Sequence, residues 1–272
     1  MNFLIIGDVV GKSGVEKLQK ELPNLIKKNN IDFCIVNGEN SANGKGLRKQ
    51  EYDKIKACGA DVITMGNHVY YRKEMASEYI NFKDLLIPAN ITNLNGNNNV
   101  VKEKNDKKIG IINLIGKAEM GDILEKNTSD PFKCILSQIE EVKKAGADYI
   151  FIDFHAEATA EKIAMGYFLD GKVTCVFGTH THVATADETI LSNGTAYITD
   201  IGMTGPKDSV IGLKKEVALK RFVEGAYAKY ECSQNEAFLN GLIVTTDDLT
   251  HMPVSIDRIN TVSYTHLRAH ET

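Results

Sequence analysis

The chain is predicted to be an α/β protein with a largely parallel sheet covered by helices and a second sheet in the same domain. Three observations predict this. Short apolar runs alternate with helical patterns through the first half. The runs NFLIIG, DFCIVNG and DVITMG are apolar without alternation, as strands buried on both faces are. The final third instead shows alternating runs and an Asn-Gly turn, the pattern of antiparallel strands. No internal repeat and no flexible linker interrupts the 272 residues, so one domain with two sheets is the economical reading.

The elements follow in order. NFLIIGD leads into a helix over about Val15–Asn29, DFCIVNGE into a helix near Lys49–Cys58, and DVITMGN into one near Lys73–Asn81. The Asn-rich stretch Asn90–Asn99 reads as a loop, and VVKEKNDKKIGIINLIG as a hairpin turning at Asn105-Asp106. Lys117–Ser129 has no clear period and reads as a surface insertion or lid. Helices over about Pro131–Ala145 and Ala158–Leu169 flank the strand ADYIFIDFH, and KVTCVFG is the next strand. ETILSNGTAYITD reads as a hairpin and Leu213–Val223 as a helix; AYAKYEC, AFLNGLIVTTD and MPVSIDRI read as antiparallel strands.

Composition narrows the function classes. Apolar residues make up 43% and charged residues 25%, ordinary for a globular protein. A net charge of −4 gives no footprint for duplex nucleic acid or an anionic membrane. No apolar run approaches the ~20 residues needed to span a bilayer, and MNFLIIGD is too short for a signal peptide. The five cysteines show no paired spacing, and Cys34 and Cys175 lie inside apolar runs, so a reducing cytoplasm is expected.

Four of the seven histidines, His68, His155, His180 and His182, follow apolar runs, as do Asp8, Glu39, Asn40 and Asn67. In an open α/β sheet ligands bind at the carboxyl ends of strands. Taken singly, each residue has an ordinary reading as a turn residue, helix cap or core histidine. Together, oxygen donors and imidazoles from successive strand ends are what a pair of catalytic divalent metals needs. In extended chain His180 and His182 project to the same side, so they can serve one metal or two neighbouring ones. Glu39 can give one oxygen to each of two cations, and Asn67 offers a neutral carbonyl oxygen. His68 is either a ligand or a proton donor.

Two glycine-rich stretches compete for attention. Gly7-Asp-Val-Val-Gly-Lys-Ser13 follows a strand and precedes a helix, with Asp153 available as a Mg²⁺-side acid. It has three residues where a phosphate-binding loop has four between glycine and Gly-Lys-Ser, so an ATPase is not expected. Gly11 and Gly14 read as turn residues. Asn43-Gly-Lys-Gly46 is a surface turn or a means of bringing Lys45 to a substrate phosphate, and no role follows for it or for Gly202–Pro206.

Through IGDVVG, NGENSANGKGL, ADVITMGNH, PAN, IFIDFHAEATAEK, GTHTHVATAD and TAYITDIGMTGP, the chain resembles the YmdB-like bacterial metallophosphoesterases, a branch of the calcineurin-like superfamily. The resemblance covers essentially residues 1–260. It implies a four-layer α-β-β-α sandwich and hydrolysis of phosphodiesters, with 2′,3′-cyclic nucleotides as substrate type. It implies that Asp8, Asn40 and His182 bind one metal, that Asn67, His155 and His180 bind the other, that Glu39 bridges, and that His68 is catalytic. Most calcineurin-like enzymes begin with Asp-x-His, whereas Asp8 is followed by Val9-Val10. The oxygen-rich first position favours iron or manganese over zinc, with magnesium also open.

The expected reaction is attack by a hydroxide bridging two cations ~3.5–4 Å apart, while His68 protonates the departing ribose oxygen. Two alternatives stand beside it. One is a regulatory nucleotide-sensing protein with little turnover; the other is an amidohydrolase barrel, against which the late His-x-His pair counts. Symmetric self-association is the base expectation for such an enzyme. Residues 261–272 are set apart as a tail, within which VSYTHLRAHET (Val262 to Thr272) resembles a translated sequencing adapter and is expected to be non-native, with the natural C-terminus missing. His266 and His270 are therefore not candidate ligands.

Overall fold

A computed structural model describes residues 1–261, and the tail VSYTHLRAHET lies outside the described residues. The first sheet begins with β1 (Asn2–Ile6) and β2 (Asp8–Val9), then α1 (Gly11–Lys28), β3 (Phe33–Asn37), α2 (Lys49–Ala57), β4 (Val62–Thr64), α3 (Lys73–Ala76) and β5 (Leu85–Leu86). The second is built from β6 (Asn99–Lys104), β7 (Lys107–Ile115), α4 (Asp122–Asn127), α5 (Pro131–Lys144), β8 (Tyr149–His155), α6 (Thr159–Leu169), β9 (Cys175–Thr179), β10 (Thr189–Ile190) and β11 (Ala196–Ile198). The chain then returns to the first sheet with β12 (Met203–Pro206), α7 (Lys215–Phe222), β13 (Ala237–Thr246) and β14 (Pro253–Thr261).

The first sheet runs β2-β12-β13-β1-β3-β4-β5, with β14 on β13. The strands β1, β3, β4 and β5 are parallel, and β13 is antiparallel to β1. The second runs β10-β11-β9-β8-β7-β6, parallel through its middle and antiparallel at both edges. The hairpin β6–β7 turns at Asn105 and Asp106, both at positive φ (52° and 59°), as a two-residue turn matched to strand twist demands.

Side-chain alternation makes the layers. Phe3, Ile5, Phe33 and Ile35 of the first sheet meet Ile111, Phe151, Cys175 and Phe177 of the second in a buried apolar interface. The opposite faces of the same strands, Leu4, Ile6, Cys34 and Val36, pack on Val15, Leu18 and Leu22 of α1. Ile150, Ile152 and Phe154 pack on Ile135, Ile139 and Val142 of α5 and on Met165 of α6. The result is a four-layer α-β-β-α sandwich. Because both central strand sets are covered on both faces, their sequences carry no polar stripe, except where polar side chains crowd one end.

Three expectations are corrected. The helix near Lys73–Asn81 breaks after Ala76, because Tyr79 turns inward, is fully buried and donates its hydroxyl to the Val69 carbonyl. AYAKYEC is no strand: its exposure does alternate, but it lies in no ladder beyond one bridge between Leu213 and Cys232. Gly14 is not a turn residue but lies in α1, where a Cβ would come 2.4 Å from the Thr204 carbonyl oxygen, so glycine allows close helix–strand packing. The segment Lys117–Ser129 holds α4 and buries Leu124 in the outer core of the first sheet.

Candidate metal centre

The eight polar residues singled out by their place after apolar runs converge at one end of the sandwich. Asp8 starts β2, Glu39 and Asn40 follow β3, and Asn67 and His68 open a 3-10 turn after β4. His155 ends β8, and His180 and His182 follow β9. The carboxyl ends of parallel strands in both sheets thus face one another, and the site needs both sheets.

One group surrounds His155. Its Nε2 lies 2.9 Å from Asn67 Oδ1, 3.0 Å from His180 Nδ1 and 3.4 Å from Glu39 Oε1. Glu39, His155 and His180 each offer a ligand atom within 4.8 Å of the others. A second group holds Asp8, Asn40 and His182: His182 Nε2 is 2.5 Å from Asn40 Nδ2 and 3.9 Å from Asp8 Oδ1. His68 Nδ1 reaches Glu39 Oε1 at 2.9 Å and Asn40 Oδ1 at 2.8 Å. Its backbone N–H donates to Glu39 Oε2.

A tier of buried side chains fixes the ring orientations. His155 Nδ1 contacts Thr179 Oγ1 at 2.9 Å, and the Thr179 hydroxyl donates to Asp153 Oδ1 at 2.7 Å. The hydroxyl must therefore accept from His155 Nδ1–H, which leaves Nε2 bare and aimed into the site. Asp153 Oδ2 accepts from Asn37 and Thr64 of the opposite sheet, at 3.0 and 2.5 Å. Asp153 is thus no magnesium ligand but a bolt between the sheets; burial pushes its carboxyl up to about 6 against these hydrogen bonds. His182 Nδ1 donates to the Ile211 carbonyl at 2.8 Å, which again leaves Nε2 bare. His180 Nε2 lies 3.1 Å from Glu157 Oε2, freeing Nδ1.

The His180–His182 loop is strained, with φ of 105° and 66° at its two histidines. It is held by its backbone. His180 N–H donates to Asp8 Oδ2, and Thr181 N–H to Asp200 Oδ2 at 3.1 Å. Asp200 in turn pairs with Lys162 of α6 at 2.7 Å, both 1% exposed, and accepts from Gly202 N–H. Gly202–Pro206 does not line the cleft; its strand β12 pairs Met203 with Asp8 and seats that carboxylate. Lys12 of the glycine-rich Gly7–Ser13 stretch points to solvent beside Glu16.

The electrostatics call for a cation. Burial and the like charge of Glu39 push the Asp8 carboxyl well up, and its Oδ1 is buried with no hydrogen-bond partner among the described residues. Burial also opposes ionisation of Glu39, and it takes positive charge placed among the imidazoles around it, at His155 and then at His68, to outweigh that and hold the carboxyl low. Burial lowers His155, His180 and His182, which keeps their imidazoles neutral. The Lewis-basic atoms crowd one another with too few protons between them, and a metal fits that donor set. Gly66 makes room: a Cβ there would sit 2.3 Å from both Glu39 Oε2 and His155 Nε2. Thr179, Lys162, Asp200 and Glu157 escape the sequence reading, although Asn37, Thr64 and Asp153 are visible as polar residues inside apolar strands.

The sequence model for the YmdB-like protein family matches residues 4–259. The chain belongs to the YmdB-like family. It is 42% identical over 260 residues to a Bacillus subtilis 2′,3′-cyclic-nucleotide 2′-phosphodiesterase, covering 95% of this chain and 96% of that one. The crystal structure of a novel phosphatase from Mycoplasma pneumoniae superposes with a TM-score of 0.88 at 39% identity, over 96% of this chain and 93% of that one. A hypothetical protein from Thermus thermophilus gives 0.87 at 33% identity, over 96% and 99%. As a YmdB-like chain, it has the calcineurin-like metallophosphoesterase fold, with the candidate centre at the meeting point of its sheets.

Proposed function

We propose that this chain is a dinuclear-metal phosphodiesterase that hydrolyses 2′,3′-cyclic nucleotides or related phosphodiesters. The observation that carries the reading is His155 Nε2, a bare nitrogen facing an amide oxygen, a second imidazole nitrogen and a carboxylate oxygen within 3.4 Å. Asn67, His155 and His180 would hold one metal, and Asp8, Asn40 and His182 the other, with Glu39 shared. The Asn40 amide now presents Nδ2 to His182; a half-turn brings Oδ1 to that position for ligation. The oxygen-rich second set favours iron or manganese, with zinc or magnesium as substitutes.

Bound divalent cations supply Lewis acidity toward phosphoryl oxygens and an acidified water. The chain supplies the rest. His155 and His182 keep fixed tautomers, and Gly66 leaves the floor open. His68 turns Nδ1 onto Glu39, a contact that the half-turn of Asn40 leaves in place, so Nε2 is its atom for the leaving group. It would give a proton to the departing ribose oxygen, worth about 10²–10⁴-fold. The substrate enters a cleft of about 400 Å³ lined by Glu39, Asn40, His68, Glu157 and His180.

No helix among the described residues is long and apolar enough to cross a membrane, and all five cysteines are unpaired. Both features agree with the proposed cytoplasmic location. Residues 1–260 are proposed as the metallophosphoesterase unit.

The test is hydrolysis of 2′,3′-cyclic AMP by protein stripped of metal and then restored with Mn²⁺. Turnover is expected only after restoration, with two metals per chain. His68→Ala should keep both metals and lose about 10²–10⁴-fold in kcat; equal loss of metal and activity would make His68 a ligand. Absence of turnover with two metals bound would favour the nucleotide-sensing alternative.

A further inference from the structure

We propose that Lys45 forms a second phosphate site in the cleft, reading a phosphate on the 5′ side of the bound nucleotide. This rests on the phosphodiesterase reading of the metal centre. Lys45 leaves the same loop that delivers Glu39 and Asn40, and it lines the same cleft. Its ammonium sits 4.9 Å from the ring centroids of both Tyr71 and Tyr230. Among the described residues it has no carboxylate within ion-pair distance, although Glu39 and Glu157 line the cleft with it. A merely solvated lysine is free to roam; this one is held with its charge unneutralised.

The backbone beneath it is built to hold that position. Gly44 and Gly46 lie at φ of 83° and 79°. A Cβ at Gly44 would come 2.4 Å from the Tyr230 hydroxyl oxygen, and one at Gly46 would come 2.7 Å from Arg72 Cγ. Arg72 clamps the loop from below, donating through Nε to the Lys45 carbonyl and through Nη2 to that of Ala42. The other cation at the cleft, Arg221, spends Nε and one Nη on the Ala228 carbonyl.

Geometry points to the side of the substrate that Lys45 meets. His68 stands edge-on to Tyr71, with ring centroids 5.9 Å apart at 90°. Lys45 lies against that same tyrosine ring, so the ammonium is one aromatic ring beyond the group proposed to protonate the leaving oxygen. The scissile phosphate belongs to the metals. What extends past His68 is the leaving-group side, which in a 2′,3′-cyclic nucleotide is the nucleoside itself, with its 5′ carbon. An ammonium there is matched by a phosphate on that carbon. A free 5′-phosphate and the linking phosphate of a short oligonucleotide share this chemistry.

The experiment is calorimetric titration of the metal-loaded protein with adenosine 3′-phosphate and with adenosine 3′,5′-bisphosphate, which needs no turnover. The bisphosphate is expected to bind about 10-fold more tightly, as one charge-assisted contact provides. Lys45→Met should collapse that ratio to near one, and Lys45→Arg should retain most of it. A wild-type ratio near one overturns the proposal. So does a ratio unchanged in Lys45→Met, or an equal weakening of both ligands, which would put Lys45 on the phosphate at the metals. A dinucleotide ending in a 3′-phosphate separates the sources: tightening equal to that of the bisphosphate assigns the site to oligonucleotide ends, and tightening by the bisphosphate alone assigns it to mononucleotides. Failure to hydrolyse 2′,3′-cyclic AMP sinks the phosphodiesterase reading and leaves this binding ratio measurable.

Discussion

His155 and the His180-Thr181-His182 loop meet around the same cluster but are held in opposite ways. His155 is the last residue of a strand laddered on both sides, and a relay of buried side chains, Thr179 and then Asp153, fixes its ring. The loop histidines have no ladder. Their backbone is strained and is held by carboxylates at its N–H groups, and one of those carboxylates needs a buried lysine beside it. A ligand on a strand needs only its ring oriented, whereas a ligand on a turn needs the main chain itself restrained.

Breaking the residue common to both groups should have the largest effect. Glu39→Ala is expected to lose both metals and at least about 10³-fold in turnover, several kcal/mol of transition-state stabilisation. Metal content by mass spectrometry checks this, and a variant that still carries two metals removes the shared-ligand role.

The loop side fails next. Lys162→Met strands the Asp200 charge in the core and should cost about 3–5 kcal/mol in chemical denaturation. The double variant Lys162→Met/Asp200→Asn should recover much of that stability while metal affinity stays weak. Full recovery of affinity would show that the ion pair does not position the loop.

The strand side should be sharper and cheaper to perturb. Thr179→Val removes the hydroxyl between His155 and Asp153 and should weaken metal binding about 10–100-fold, read by chelator competition. One metal of the two should be affected; equal weakening of both would erase the distinction between the groups.

Ile211 gives the smallest effect. It accepts from His182 Nδ1 through its carbonyl, and its φ is 48°, unfavourable for a β-branched residue. Ile211→Gly relieves that strain but loosens the unfolded chain's constraint, so stability should change by less than about 1 kcal/mol. A thermal melt checks it. A larger loss would mean that the Ile211 side chain, not its carbonyl, supports His182.

The sequence makes some of this legible and not the rest, for reasons visible in particular residues. The strands β1, β3 and β8 announce themselves because both faces are buried, so they read as apolar runs up to a polar end, with Asp153 of β8 the polar exception inside one. The site residues are legible for the same reason, since Glu39 and His155 stand where an apolar run stops. Thr179 and Asp200 are not, because a threonine closing a strand and an aspartate just past one are ordinary strand-end and turn chemistry. Their roles come from partners 24 and 38 residues away. The segment AYAKYEC misleads because alternation reports which side chains face inward, not whether a neighbouring strand exists. Tyr230 faces inward there to support Lys45, without a ladder.

The order of the strands has a further consequence. The second sheet is one unbroken stretch, from Asn99 to Ile198, set between β5 and β12 of the first. A chain shortened by that stretch would keep Asp8, Glu39, Asn40, Asn67 and His68 at the rim of the remaining sheet. It would lose His155, His180 and His182, and its inner face would be bare to water. Cover for the apolar face and the three histidines therefore come from the same stretch of chain. For this architecture, a closed globule and the three histidines of the proposed metal centre cannot be had separately.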